Sequence, residues 1–223
     1  MSKPSAIAYI DGFNFYYGVV KDSPALKWLN FEALCDRLLR GYDVRAVNYY
    51  TAKVKDRPAD LGQSQRQNDY LRALDSCSRT HIVLGQFQRK KSTVDALGGQ
   101  QVVLSGGAIA TLADGQTIRG KVWEEKGSDV NLGVDLSWDA AAGGIHTALV
   151  VSNDLDLQRA VTRAMQRGVQ VIVVNPHHRT NERPSLIGSD TRKLSRSMLQ
   201  AAQFPDTVPV GQGRDVRRPA TWS

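Results

Sequence analysis

Short apolar runs, each closed by a polar or glycine step, recur along the chain and set the order of its elements. Ala6 to Ile10 has the length of a buried strand and stops at Asp11-Gly12. Phe13 to Val20, apolar and aromatic without strict alternation, predicts a helix. Asn30 stands where it caps a second helix, which runs through Phe31, Leu34, Cys35, Leu38 and Leu39 to a stop at Gly41. Val44 to Val54 alternates enough, with Val47, Tyr49 and Tyr50, to predict a strand. Arg57 to Ser78 is polar, with Leu71 and Leu74 spaced for a helix, and Ile82-Val83-Leu84 with Phe87 predicts a third strand.

Residues 92–125 break this rhythm. Their β-formers are interrupted by Gly98-Gly99, Gly106-Gly107 and Asp114-Gly115, which predicts hairpins inserted between core elements. Ser128 then caps a helix running to Ala142 and ending at Gly143-Gly144. Val130, Val134 and Trp138 form one apolar face and Leu132 with Leu136 another, so both faces are expected to be buried. Thr147 to Val151 predicts a strand, Leu155 to Arg167 a helix and Val169 to Val174 a last strand. Strand and helix alternating in this way predict an α/β fold with a parallel sheet covered on both faces. After Asn175 the chain is less regular, with one more helix expected in Leu194 to Phe204. Residues 1–205 therefore form one domain, and the Gly, Pro and Arg content of 206–223 predicts a basic, flexible tail.

Composition narrows the picture. With 223 residues and 41% hydrophobic content, the chain suffices for one sizeable core. No apolar run is long enough to span a bilayer and the N-terminus lacks a signal-peptide layout, so a soluble, cytoplasmic protein without a membrane partner is expected. Cys35 and Cys77 are too few for a zinc site or a disulfide framework and read as thiols in a reducing compartment. A formal charge of +7 favours nucleic acid as partner.

This basic chain also carries acids where a ligand should sit, because open α/β sheets bind ligands beyond the carboxyl ends of their strands. Asp11 follows the first strand, with Asn14 three residues on. Asp154 and Asp156 follow the fourth strand in Val150-Val151-Ser152-Asn153-Asp154-Leu155-Asp156, and Lys126-Gly127-Ser128-Asp129 opens the predicted buried helix. Each acid alone has a plain structural reading: Asp129 favours the helix dipole, Asp154 caps a helix, Asp11 shapes a turn. Together they should converge, and converging carboxylates repel one another unless a cation compensates. Oxygen ligation without Cys or His suits Mg²⁺ or Mn²⁺. Such ions serve phosphodiester hydrolysis, and no Ser-His-Asp triad can be assembled from this sequence.

Three segments, Tyr9-Ile10-Asp11-Gly12-Phe13-Asn14, Lys126-Gly127-Ser128-Asp129-Val130 through Asp135, and Val151-Ser152-Asn153-Asp154-Leu155-Asp156, resemble the motifs of NYN-domain proteins, the LabA-like branch of the PIN-like nucleases. Asn175-Pro176-His177 and Gln203-Phe204-Pro205 also resemble that branch, so the likeness covers about residues 5–205. The resemblance implies a three-layer αβα sandwich with strand order 3-2-1-4-5 and Mg²⁺- or Mn²⁺-dependent ribonuclease activity. It implies metal ligands at Asp11, Asp129 and Asp154, a water- or phosphate-orienting role for Asn14, and Asp156 completing the shell directly or through water. Asp135 lies six residues beyond Asp129, about 120° round a helix, so it needs a second site or an outer shell; otherwise it is a helix-face carboxylate paired with a base. Ser152 and Asn153 either bond the substrate or close a turn. Two features depart from the family: Asn stands at 153 where many members have Gly, and the hairpin insertion is long.

Lys126, Arg89, Lys90 and Lys91 are candidates to track an RNA backbone, as are Arg192, Lys193, Arg196 and the tail arginines Arg214, Arg217 and Arg218. A run of charge also serves as a solvated face. His81 and His146 read as turn residues, and His177-His178 as an exposed loop pair. Tyr16 and Tyr17 either stack on a base or pack in the core. Two rival functions stand beside the nuclease. A haloacid-dehalogenase-type phosphatase wants a second Asp at the position held by Phe13; a binding or scaffold protein would keep the fold without cutting. Neither a Walker A sequence nor a Gly-x-Gly-x-x-Gly after a strand occurs. The sequence leaves room for a homo-oligomer.

Overall fold

The first strand, β1 (Ser5–Asp11), alternates between two cores. Ala6, Ala8 and Ile10 face one hydrophobic cluster, while Tyr9 faces another. The computed structural model describes the chain apart from residues 1, 57–59, 96–100, 104–108, 112, 114–116, 178–185, 212, 213 and 223. For 89–95, 101–103, 109–110 and 117–124 it describes the backbone alone.

Parallel neighbours flank β1 on both sides: β2 (Asp43–Thr51) and, through a long crossover, β8 (Thr147–Val151). With β3 (Thr80–Leu84), β9 (Gln170–Val174) and β10 (Asp190–Thr191) they form a six-stranded parallel sheet, in the order β10-β9-β8-β1-β2-β3. Its first five strands in chain order give the expected 3-2-1-4-5, and β10 adds a sixth beside β9. Every residue of β8 is buried, as a strand covered on both faces requires.

Helices α2 (Phe31–Leu38), α3 (Gln63–Asp75) and α6 (Arg196–Ala201) cover one face, where Leu34, Leu38, Leu74 and Leu199 join Ala8, Ile10, Leu149 and Val151. Helices α4 (Ser128–Ala142) and α5 (Gln158–Gln166) cover the other, where Leu132, Leu136 and Val161 join Tyr9, Val150 and Val173. The result is a three-layer α/β/α sandwich. Asn30 caps α2 as expected, its Oδ1 accepting the Ala33 N–H at 3.1 Å.

Several expectations are corrected. Only one face of α4 is buried: Val130 and Trp138 are 68% and 73% exposed, because the sheet meets the Leu132–Leu136 side alone. Two carboxylates of α4 face inward to serve tyrosines of the sheet. Asp139 accepts the Tyr9 hydroxyl at 2.6 Å, and Asp135 that of Tyr50 at 2.9 Å. The helix after β1 is short, α1 (Gly12–Phe15), and continues as a π-helical turn, Tyr16–Val20. α3 starts at Gln63 rather than Arg57. The insertion begins before residue 92: β4 (Gln86–Asp95) and β7 (Thr117–Lys126) form an antiparallel ribbon that takes in Phe87, and β5 (Gln101–Val103) pairs β6 (Ile109–Thr111).

The described residues of 206–223 are not the free tail that their composition predicts. β11 (Thr207–Val208) pairs β12 (Val216–Arg217) with Val208 and Val216 buried. Trp222 lies against Trp28 and Tyr70, with ring centroids 6.1 and 5.9 Å apart. Burying those rings outweighs the Gly and Pro content. No helix among the described residues is long and apolar enough to cross a membrane.

Candidate active site

The sheet places the ends of β1 and β8 side by side. Ile10 pairs with Val151, so Asp11 and Ser152 leave the sheet as neighbours. Ser152 is fully buried and donates its hydroxyl to Asp11 Oδ2 at 2.8 Å. Asp11 Oδ1 accepts the Asn14 N–H at 2.9 Å and so caps α1. Asn14 Oδ1 in turn accepts the Asn153 N–H at 3.1 Å, and Ser152 Oγ the Asp154 N–H at 3.1 Å. Asp154 Oδ1 accepts the Asp156 N–H at 2.9 Å, capping the 3₁₀ turn Leu155–Leu157. The cap reading of Asp154 and its place beside Asp11 thus hold together. One hydrogen-bonded chain ties both strand ends into a rigid rim.

Gly127, with φ at +97°, turns the ribbon into α4 and brings Asp129 into the first turn of that helix. Burial above all raises the Asp129 carboxyl, to about 7, and the charges of Asp11, Asp154, Glu125 and Asp156 add to it. Asp11, 3% exposed, is likewise raised by burial first. The Asn14 N–H and the Ser152 hydroxyl counter that shift, while Asp154 and Glu125 reinforce it. Five carboxylates therefore share one field.

Glu125 is the member that sequence reading missed. It sits at the end of β7, and its Oε1 accepts the Ser128 N–H at 3.0 Å. A Cβ at Gly85 would lie 2.7 Å from that same oxygen, so the chain after β3 must be bare for Glu125 to reach the site. The available signal was its place two residues before Gly127-Ser128-Asp129, hidden by assignment to the insertion.

The donor set is all oxygen, which suits a hard divalent cation. The Ser128 hydroxyl, buried beside Asp129, has no hydrogen-bond partner among the described residues. Among the described residues no three acids stand together at ligand spacing.

Of the other candidates, Lys126 lines one depression with Glu125, Asp129 and Asp156. Asp135 stands under α4 as the acceptor of Tyr50. Arg89, Lys90 and Lys91 lie on β4, paired with Trp123, Val122 and Lys121, and their side chains are outside the described residues. Lys126 is exposed at the base of the ribbon. Arg192 pairs with Asp190 at 2.8 Å and Arg218 with Asp206 at 3.3 Å, while Arg214 offers its carbonyl to Arg72. His146 bonds Ser5 Oγ, and His178 falls outside the described residues.

A cavity of about 530 Å³ opens next to the acids. Gly12, Thr51 and Glu125 line its acid side; rings from Phe13, Tyr16, Tyr17, Tyr49 and Phe87 and the charged side chains of Lys21, Lys27, Asp60 and Arg66 are among the rest of its lining. Tyr49 marks how near the two regions are: burial chiefly, with the Asp11 charge added, pushes its hydroxyl up to about 12.

The chain matches the NYN domain over residues 6–192. It is similar to the 6-hydroxy-3-succinoylpyridine 3-monooxygenase HspA of Pseudomonas putida, 28% identical over 243 residues that cover 96% of this chain and 74% of that protein. Among solved structures it is similar to a protein of unknown function from Vibrio parahaemolyticus, at 18% identity and a TM-score of 0.49, covering 87% of this chain and 95% of that one. The NYN match runs from β1 to beyond β10, includes Asp11, Glu125, Asp129 and Asp154, and shows that the chain belongs to the NYN-domain family.

Proposed function

We propose that this chain is a divalent-metal-dependent ribonuclease of the LabA-like branch of the PIN-like superfamily. The observation that carries the reading is the approach of acids from three separate elements: Ser152 ties Asp11, ending β1, to the Asp154 loop after β8, and Asp129, opening α4, lies within reach of the charges of Asp11, Asp154 and Asp156. Asp11, Asp129 and Asp154 would hold Mg²⁺ or Mn²⁺, with Glu125 and Asp156 beside them. The ion, when bound, offsets the carboxylate charge, lowers the pKa of a water and polarises the phosphate.

The chain's own residues supply position and proton handling. Ser152 and the Asn14 N–H fix both oxygens of Asp11, so its carboxylate cannot rotate away from the site. In the hydrolysis a water oxygen bonds to phosphorus and the bond to the leaving sugar oxygen breaks. The water's proton passes to a carboxylate, and the leaving oxygen takes up a proton. Glu125 and Asp156, outside the three proposed ligands, would accept the first proton. The test is incubation of the purified protein with labelled RNA and DNA strands, in Mn²⁺ or in chelator. Cutting of RNA that requires the metal supports the reading, and no cutting of any strand sinks it.

A second reading has one observation in its favour. The aromatic cavity beside the acids has the character needed for a small heteroaromatic acid, and the Pseudomonas relative is named for attack on one. Such a monooxygenation would need O₂ and two electrons from a reductant such as a reduced nicotinamide. Oxygen uptake with 6-hydroxy-3-succinoylpyridine and that reductant tests it.

A further inference from the structure

We propose that the aromatic pocket beside the acids is a binding site for one unstacked nucleobase of the substrate strand. The inference rests on the hydrolytic reading and adds a base-binding site to it.

The pocket and the acid cluster share a wall. Glu125 lines the cavity and also acts on Asp11 and Asp129. Gly12 follows Asp11 directly and lines the cavity. A Cβ there would lie 2.6 Å from the Tyr50 carbonyl oxygen and 2.9 Å from the Tyr49 hydroxyl. The chain thus lies flat against β2, and the pocket continues straight on from Asp11. A group seated in it reaches Glu125 and lies next to the residue that follows Asp11.

Rings from two unconnected elements face the space. Phe13 of α1 meets Phe87 of the ribbon edge to face, centroids 5.6 Å apart, and Tyr16 meets Tyr17 in the same way at 5.3 Å. Rings that served only the core would close on one another; here they border about 530 Å³, and Tyr17 stays 53% exposed. That volume lies within the range of small-ligand sites. An exposed tyrosine at such a slot offers a flat face on which any base stacks.

Basic side chains at the rim suit an anionic companion to the flat group; Arg66 and Asp60, also in the lining, pair with each other. Lys21 Nζ stands 5.4 Å from the centre of the Tyr17 ring, and Lys27 Nζ 5.6 Å from that of Tyr16. Partial burial holds the Lys27 ammonium below its ordinary pKa, with Asp60 pulling the other way, so a phosphate would restore lost stabilisation. An aromatic ring joined to an anion, next to a site for a phosphodiester, is a nucleotide within a strand. A base stacked in a duplex must leave the helix to enter the pocket, so a paired strand is a poor substrate.

The experiment compares wild type with Tyr17→Ala, Tyr17→Phe and Lys27→Gln. Tyr17 is chosen because its exposure lets the ring be removed without opening the core. Anisotropy in chelator reads binding of a labelled single-stranded oligoribonucleotide, its duplex, and a strand with one abasic position. Cleavage mapping in Mn²⁺ uses the same strands. Tyr17→Ala should weaken single-strand binding about tenfold or more, Tyr17→Phe should keep it, and Lys27→Gln should weaken it less. The duplex should bind and be cut poorly, and the abasic position should suppress cutting at its adjacent phosphate. Unchanged single-strand binding in Tyr17→Ala, or equal cutting of duplex and single strand, overturns the proposal. Binding of 6-hydroxy-3-succinoylpyridine that Tyr17→Ala abolishes, with oligonucleotide binding intact, also overturns it. If wild type cuts nothing yet Tyr17→Ala still loses single-strand binding, the pocket stands as a base site and the nuclease reading falls.

Discussion

The Ser152 hydroxyl donates to Asp11 Oδ2 at 2.8 Å, joining two residues 141 positions apart at the ends of adjacent parallel strands. It also accepts the Asp154 N–H, so one buried oxygen orients a candidate ligand and anchors the loop that carries another. Ser152→Ala should leave both partners unsatisfied and lower stability by about 1–3 kcal/mol in denaturant melts. It should also raise the Asp11 carboxyl further, because that hydrogen bond now counters its upward shift. A variant with wild-type stability and wild-type metal response would show that the bond positions nothing.

The acid cluster predicts how metal-free stability depends on pH. The Asp129 carboxyl stands at about 7 in the folded chain against 3.8 in an ordinary setting. A raised folded pKa means the native state holds the proton more tightly, so its contribution to stability is full below about pH 3.8. That contribution is lost as pH rises through about 7. Asp129→Asn should flatten the chelator profile across this window, and at neutral pH it should melt at or above wild type. Adding Mn²⁺ should stabilise wild type by roughly 2.7 kcal/mol at a hundred times the dissociation constant, and the variant much less. A thermal melt that ignores metal in wild type would remove the cation from the scheme.

Asp11→Asn, Asp154→Asn and Glu125→Gln should each abolish RNA cutting while circular dichroism stays native-like. Asp135→Ala should do the reverse. It deprives the Tyr50 hydroxyl of its acceptor and should cost about 1–3 kcal/mol of stability, with cutting retained under folded conditions. If Asp135→Ala is inactive yet stable, Asp135 belongs to the metal shell after all.

Binding to single-stranded RNA in chelator should weaken as salt rises, with a log–log slope of about −0.7 per phosphate contacted. Replacing Lys90 and Lys91 by Glu should make that slope shallower if the ribbon lies along the strand. A flat salt response in wild type would assign the +7 charge to some other role.

The layer order and most of the rim are legible in the chain's own pattern. Apolar runs ending at Asp11 and at Ser152-Asn153-Asp154 identify strands covered on both faces, because only burial on both sides demands such unbroken hydrophobicity. Asn30 reads as a cap from its place alone, since capping is a local hydrogen bond. Three things needed the tertiary structure. Glu125 joins the acids only because the ribbon returns it to the strand ends beside Gly85, a contact no local pattern encodes. The two apolar stripes of α4 look alike in sequence, yet the sheet covers one and leaves Trp138 outside, since a helix on a flat sheet buries one side. The aromatic pocket, too, exists only where α1 and the ribbon face each other across Phe13 and Phe87, 74 residues apart along the chain. Periodicity reports what each segment must hide, but not which distant segment hides it.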